Sequence, residues 1–242
     1  MSEAILKKHR QVWARKPALR DIYAAWYRQI KKELVAGKIL EIGGGSGNLK
    51  DTLPETITSD LVHLPWVDLV SDAHTLPFKN SSMENIILFD VLHHLENPTF
   101  FFDEALRILC RGGRLLLMEP YVSLLSYPVY RFLHPEPLDL HQDPFELQHR
   151  SLDRKPFDAN QAIPTLFFFR HFKRFKTRYP QFELRRRTRI GFWAYPLSGG
   201  FDHPTLIPAG AINPLIRLER MLDFLSAVFA FRMFIVLEKQ TF

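Results

Sequence analysis

Between Lys38 and Pro120 the chain alternates short, continuously apolar runs with polar or helical stretches. KILEI, TITSD, VDLVSD, MENIILFDVL and RLLLMEP are the runs, and NPTFFFDEALRILC precedes the last of them. That stretch reads as a helix, with Asn97 as its N-cap and Pro98 at its first helical position. A run that is apolar on both sides of a strand has to be buried on both faces, so helices must cover it above and below. The alternation therefore predicts an α/β fold built on a parallel sheet. Only the short gap from Asp60 to Val67 departs from this, because it leaves no room for a helix between the second and third strands. That sheet edge should be trimmed.

The flanks read differently. In ALRDIYAAWYRQIKKELV, Leu19, Ile22, Tyr23, Trp26, Ile30 and Leu34 fall on one helical stripe. From Tyr121 to about Gln181 the regular alternation stops and prolines accumulate. FELRRRTRIGFWAY then reads as a strand, NPLIRLERMLDFLSAVFA as a helix opened by its Asn-Pro pair, and RMFIVLEK as a closing strand. The expected organisation is a single domain over 1–242. It comprises a helical cap (1–36), a core (37–120), an insertion (121–181) and closing strands with a helix (182–242).

At 242 residues, 46% hydrophobic and 24% charged, the chain is long enough to bury its own core. One cysteine, Cys110, excludes an internal disulfide. MSEAILKKHRQVWARKP lacks an apolar leader core, and no apolar run approaches a membrane span, so the expected location is cytoplasmic. The net charge of +6 concentrates in FFFRHFKRFKTR and RRRTR. Such a patch attracts RNA, anionic lipid or an acidic substrate, or is simply a solvated face. Phe168, Phe172, Phe175 and Tyr179 form a stripe within it, expected to pack on the sheet, with peripheral membrane contact as the other reading.

The sharpest local signal is KILEIGGGSGNLKD. A phosphate-binding P-loop needs Lys and Ser/Thr after its last glycine, but Asn48 and Leu49 follow Gly47. The dinucleotide pattern G-x-G-x-x-G fails as well, since its third glycine position is Asn48. What stands is an acid followed by alternating glycines: Glu41, Gly43, Gly45 and Gly47, with Gly44 easing the turn. A carboxylate ahead of the loop repels a pyrophosphate and favours a cation or an amino group. Open α/β sheets bind ligands at the carboxyl ends of their strands.

In this order the motifs resemble class I S-adenosylmethionine-dependent methyltransferases, specifically the small-molecule branch (methyltransferase type 11, ubiquinone/menaquinone-biosynthesis-like). LEIGGGSG is similar to the first motif of that family. The resemblance implies that Asp60, with Leu61 beside it, accepts the ribose hydroxyls. It implies that Asp72 receives the adenine amino group next to Ala73, and that Asp90 and Val91 flank the methionine moiety. It further implies a Rossmann-like, mostly parallel sheet with an antiparallel final strand, S-adenosylmethionine as cofactor and S-adenosylhomocysteine as product. Tyr23, on the N-terminal helix, is expected to close the other side of the cofactor pocket.

The acceptor side lies outside these motifs. His93 and His94 follow the fourth strand at the ligand edge, and one of them is a candidate base. The segment after the fifth strand carries His134, Glu136 and Asn160, and is expected to form a lid that selects a small, partly apolar acceptor. No metal-ligand spacing stands out, so no metal is expected. The expected assembly is a monomer or homodimer without DNA. RNA as acceptor is disfavoured for want of a recognisable RNA-binding module, and a non-catalytic cofactor-binding subunit is the remaining alternative.

Overall fold

The computed structural model describes residues 2–147 and 158–240. Two helices, α1 (Ser2–Arg15) and α2 (Pro17–Glu33), precede β1 (Ile39–Ile42), β2 (Ile57–Asp60), β3 (Leu69–Val70) and β4 (Met83–Phe89). Then come α3 (Pro98–Ile108), β5 (Leu109–Pro120) and α4 (Ser126–Phe132). Also within the 121–181 insertion lie α5 (Ile163–Thr165) and α6 (Phe172–Arg178), and after it follow β6 (Phe182–Ile190), α7 (Ala194–Ser198), α8 (Ala209–Met221), α9 (Ser226–Phe229) and β7 (Arg232–Lys239). The strands form one sheet in the order β3-β2-β1-β4-β5-β7-β6. β1 to β5 are parallel, and β7 runs antiparallel to both β5 and β6. The short link after Asp60 has its counterpart at the sheet edge, where β3 is only two residues long.

Period-two alternation in the strands feeds two cores. Met233, Ile235 and Leu237 of β7 join Leu115 and Leu117 of β5 on one face, where α3 and the helical segment 163–178 pack. Phe234 and Val236 join Leu116 and Met118 on the other face, under α2 and Ile212 of α8. Phe102 of α3 is fully buried and meets Phe167, Phe168, Phe175 and Tyr179 at ring-centroid distances of 5.3, 6.2, 5.0 and 5.4 Å. The phenylalanine stripe thus packs on the sheet, and replacing such a ring by alanine costs roughly 3–5 kcal/mol.

The N-terminal stripe falls on α2 as expected, which Pro17 opens at its first position after α1 has ended at Arg15. Two other local expectations change. Helix α8 begins at Ala209 and carries Pro214 inside it, so the Asn-Pro pair does not open the helix. It stops at Met221 rather than running on through Ala230. Asn97 sits at the N-cap position of α3, but its side chain makes no cap hydrogen bond. No helix among the described residues is long and apolar enough to cross a membrane.

Candidate active site

The glycine loop turns at the carboxyl end of β1, in the centre of the parallel part of the sheet. Gly43 adopts φ +71°, and a Cβ there would collide with the Val91 methyl group. Gly44 donates its N–H to the Ser59 carbonyl at 3.0 Å, and a Cβ on it would overlap the Thr58 methyl. Backbone therefore lies directly on β2 at this point, and only glycine permits that approach. Gly45 and Gly47 complete the turn. Asp60, at the end of β2, accepts the Gly45 N–H at 2.9 Å on one carboxylate oxygen and the Val62 N–H at 2.9 Å on the other. Each oxygen retains capacity for a further donor.

Glu41 lies beneath the loop and is almost fully buried. Burial pushes its carboxyl up to about 8, since the Thr58 hydroxyl at 3.4 Å is a poor partner. Leu61, beside Asp60, is exposed and offers an apolar surface at the same edge. Asp72 accepts the His74 backbone N–H at 2.9 Å and lies 2.6 Å from His74 Nδ1, with Ala73 buried between them.

After β4 the chain turns at Asp90, whose φ of +58° is uncommon for a residue with a side chain and costs about 1 kcal/mol. Arg232, the first residue of β7, donates to the Asp90 carboxylate. Burial raises the Asp90 carboxyl and Arg232 opposes the rise. The guanidinium stands over the rings of Trp26, Phe89 and Tyr195 at 4.7, 5.1 and 5.5 Å. Tyr23 stacks on Phe89 at 5.0 Å and is buried, so it lies behind this cage.

Beside Val91, the Glu119 carboxylate at the end of β5 accepts the N–H groups of Val91 and Leu92 at 2.9 and 2.8 Å. Its other oxygen lies 2.7 Å from His93 Nδ1. On the far side of that ring, Nε2 is 3.5 Å from Glu136, and His94 Nε2 is 3.6 Å from the same carboxylate. Burial disfavours charge on His93, yet the hydrogen bonds to Glu119 and Glu136 outweigh it and push its pKa up to about 10. His94 moves the other way, to about 4, through burial and the neighbouring His93 charge. Burial raises Glu136, but the histidines reverse this and hold it near about 2. His134 Nδ1 stands 3.9 Å from Glu136, half-exposed at the rim.

The 121–161 segment thus contributes Glu136 and His134 to this cluster, and its backbone joins it as well, with the Asn160 N–H donating to the His93 carbonyl at 2.9 Å. The Asn160 side chain is engaged within the lid, accepting from Asp139 and Ala162 and donating to the Asp139 carbonyl and Gln142. These bonds tie 139–142 to 160–162. Part of the expected lid, 148–157, lies outside the described residues.

Four contributors were missed from sequence. Glu119 and Arg232 are charged residues at the ends of otherwise apolar strands, a placement that could have marked them. Trp66 donates to the Gly45 carbonyl at 2.9 Å, and Arg10 of α1 donates to the Ser46 and Gly47 carbonyls at 3.1 Å each. Nothing local distinguishes Arg10 from the other basic residues of α1.

The strand order, the glycine loop and the acids along the carboxyl edge define the class I methyltransferase fold. Residues 40–117 match the family model described as a methyltransferase domain. The chain is similar to a SAM-dependent methyltransferase from Archaeoglobus fulgidus, with 13% identity, a TM-score of 0.55, and coverage of 91% of this chain and 94% of that one. It is also similar to a geranyl diphosphate C-methyltransferase from Streptomyces coelicolor solved with S-adenosyl-L-homocysteine, with 10% identity, a TM-score of 0.52, and coverage of 89% and 76%. An uncharacterised protein of Methanocaldococcus jannaschii is 27% identical over 106 residues, 40% of this chain and 51% of that protein. The chain thus spans about half the length of that curated relative. The family and these neighbours use S-adenosylmethionine.

Proposed function

We propose that the protein binds S-adenosylmethionine along the carboxyl edge of β1, β2 and β4 and transfers its methyl group to a small acceptor seated under the 121–161 lid. The carrying observation is that Asp60 stands against the Gly43–Gly47 turn with hydrogen-bonding capacity left on both oxygens. In this reading Asp60 takes the ribose hydroxyls, Leu61, Asp72 and Ala73 meet the adenine, and Asp90 and Val91 border the methionine end, with Tyr23 backing them through Phe89. Close backbone and carboxylates suit a ligand carrying an ammonium and a sulfonium but no phosphate. His93, His94, His134 and Glu136 border the acceptor, while Asn160 keeps the lid in register. Methyl transfer is an in-line displacement, so alignment and exclusion of water are the chief demands on such a site.

Isothermal calorimetry with S-adenosylhomocysteine tests the cofactor half, with binding and thermal stabilisation expected. Heat with a dinucleotide and none with S-adenosylhomocysteine would refute it. Labelled S-adenosylmethionine screened against metabolite fractions tests the transfer half, with a methylated small molecule expected.

A further inference from the structure

The cluster at the mouth of the lid has the geometry of a metal site. His93 Nε2, His94 Nε2 and the Glu136 carboxylate converge so that all their ligand atoms lie within 4.8 Å of one another. The carboxylate oxygens stand 3.5 and 3.6 Å from the two imidazole nitrogens. In a tetrahedral zinc shell with bonds of about 2.0–2.1 Å, neighbouring ligand atoms stand about 3.3 Å apart; the two nitrogen–carboxylate distances are within a few tenths of an ångström of that, and the two imidazole nitrogens, within 4.8 Å of each other, would draw together around the ion. We propose that His93, His94 and Glu136 bind a divalent transition-metal ion of zinc type, with an open position facing the acceptor side.

Two independent observations support an ion rather than a plain ion-pair cluster. First, His93 is held from behind, with Glu119 gripping its Nδ1 at 2.7 Å. Metal-binding histidines are oriented by such outer partners, which fix the tautomer and leave Nε2 free to coordinate. Secondly, Gln161 is buried at this cluster with its Nε2 on Glu136, yet its Oε1 has no partner among the described residues. An orphaned buried acceptor is costly, and a water on the ion would satisfy it. Two imidazoles and one carboxylate favour zinc or a similar transition metal over magnesium, which prefers oxygen ligands.

The sequence alone offers no metal signature because the donors come from an adjacent pair and a residue of the lid, which only the fold brings together. If the methyl-transfer reading holds, the open position takes an oxygen atom of the acceptor, which narrows the acceptor to a compound with an oxygen donor. Binding of the ion itself does not depend on that reading.

The test uses the full chain stripped with a chelator and dialysed against zinc alone. One zinc per chain is expected, weakened at least a hundredfold by His94→Ala and by Glu136→Gln. Glu119→Gln should weaken it about 10–100-fold. His63→Ala, at an exposed histidine away from the cluster, should leave it unchanged. Cobalt(II) added to the stripped wild type should show the visible absorption of a four- or five-coordinate ion, a readout that needs no variant. Zinc retained by folded His94→Ala and Glu136→Gln, or cobalt remaining octahedral in the wild type, would overturn the proposal. Calorimetry with S-adenosylhomocysteine on the same samples separates the two readings, since loss of zinc with intact cofactor binding touches the metal site alone.

Discussion

Arg232, which opens β7, lies against Asp90, which follows β4, and Trp26, Phe89 and Tyr195 seal the pair from the side of α2 and α7. Arg232 is almost fully buried while the Asp90 side chain remains 30% exposed, and removing one partner leaves the other charge without compensation. Arg232→Met should therefore lower the unfolding free energy by about 2 kcal/mol. The double variant with Asp90→Asn should recover part of that loss. Urea unfolding of the four proteins checks the coupling, and additive losses would mean the pair contributes nothing as a pair.

Asp60 makes a narrower prediction. Hydrogen bonds to a charged group are worth about 1.5–3 kcal/mol each, so Asp60→Ala should weaken S-adenosylhomocysteine by tenfold or more. Because the Gly45 and Val62 N–H groups also lose their acceptor, Asp60→Asn is the cleaner comparison. Calorimetry showing unchanged affinity in either folded variant would move the ribose contact elsewhere.

Gly44 tests the loop without touching any charge. Gly44→Ala places a methyl inside the Thr58 side chain and should abolish cofactor binding or unfold the protein. Thr58→Ser removes the obstructing methyl, so the double variant should regain much of what the single variant loses. Thermal melts with and without S-adenosylhomocysteine read both effects.

Glu41 predicts a pH dependence. Its folded pKa, raised by burial to about 8, exceeds the ordinary value of 4.5. The folded state therefore holds a proton that the unfolded state releases, and this contribution is fully present below about 4.5 and lost as pH rises towards 8. Relative to the wild type, Glu41→Gln should gain stability steadily between pH 4.5 and 8. A stability difference flat across that window would show that Glu41 is ionised in the folded protein.

On the lid, His134→Ala and Asn160→Ala should part company. His134 stands at the rim, so its loss should lower methyl transfer with cofactor affinity unchanged. Asn160 ties together Asp139, Gln142 and Ala162, so its loss should loosen the lid and raise amide exchange across 136–147. Exchange unchanged in Asn160→Ala would leave the lid held by other contacts.

The parts legible in sequence are those whose constraint is local. Gly43 and Gly44 report a backbone that must turn left-handed or touch β2, whereas Asp60 and Asp72, at or just past the ends of short strands, take their expected roles only from the resemblance to the methyltransferase family. Arg232 and Glu119 act across the sheet, through the register that sets Pro120 opposite Arg232. No local pattern encodes that register. From sequence, Asn160 is expected to serve the acceptor, and polar residues in loops serve both ligands and loops. Only its four bonds show which.

The position of β7 between β5 and β6 carries a consequence for biosynthesis. On a ribosome, 109–120 and 182–190 emerge well before 232–239, and neither can complete its ladder until the intervening strand arrives. Throughout that interval the growing chain carries an apolar β5 with one side unpaired, the kind of edge that recruits neighbouring chains. The growing chain should thus be most prone to aggregate until 232–239 has emerged, and a stop codon ahead of Arg232 should convert a folding chain into a substrate for chaperones.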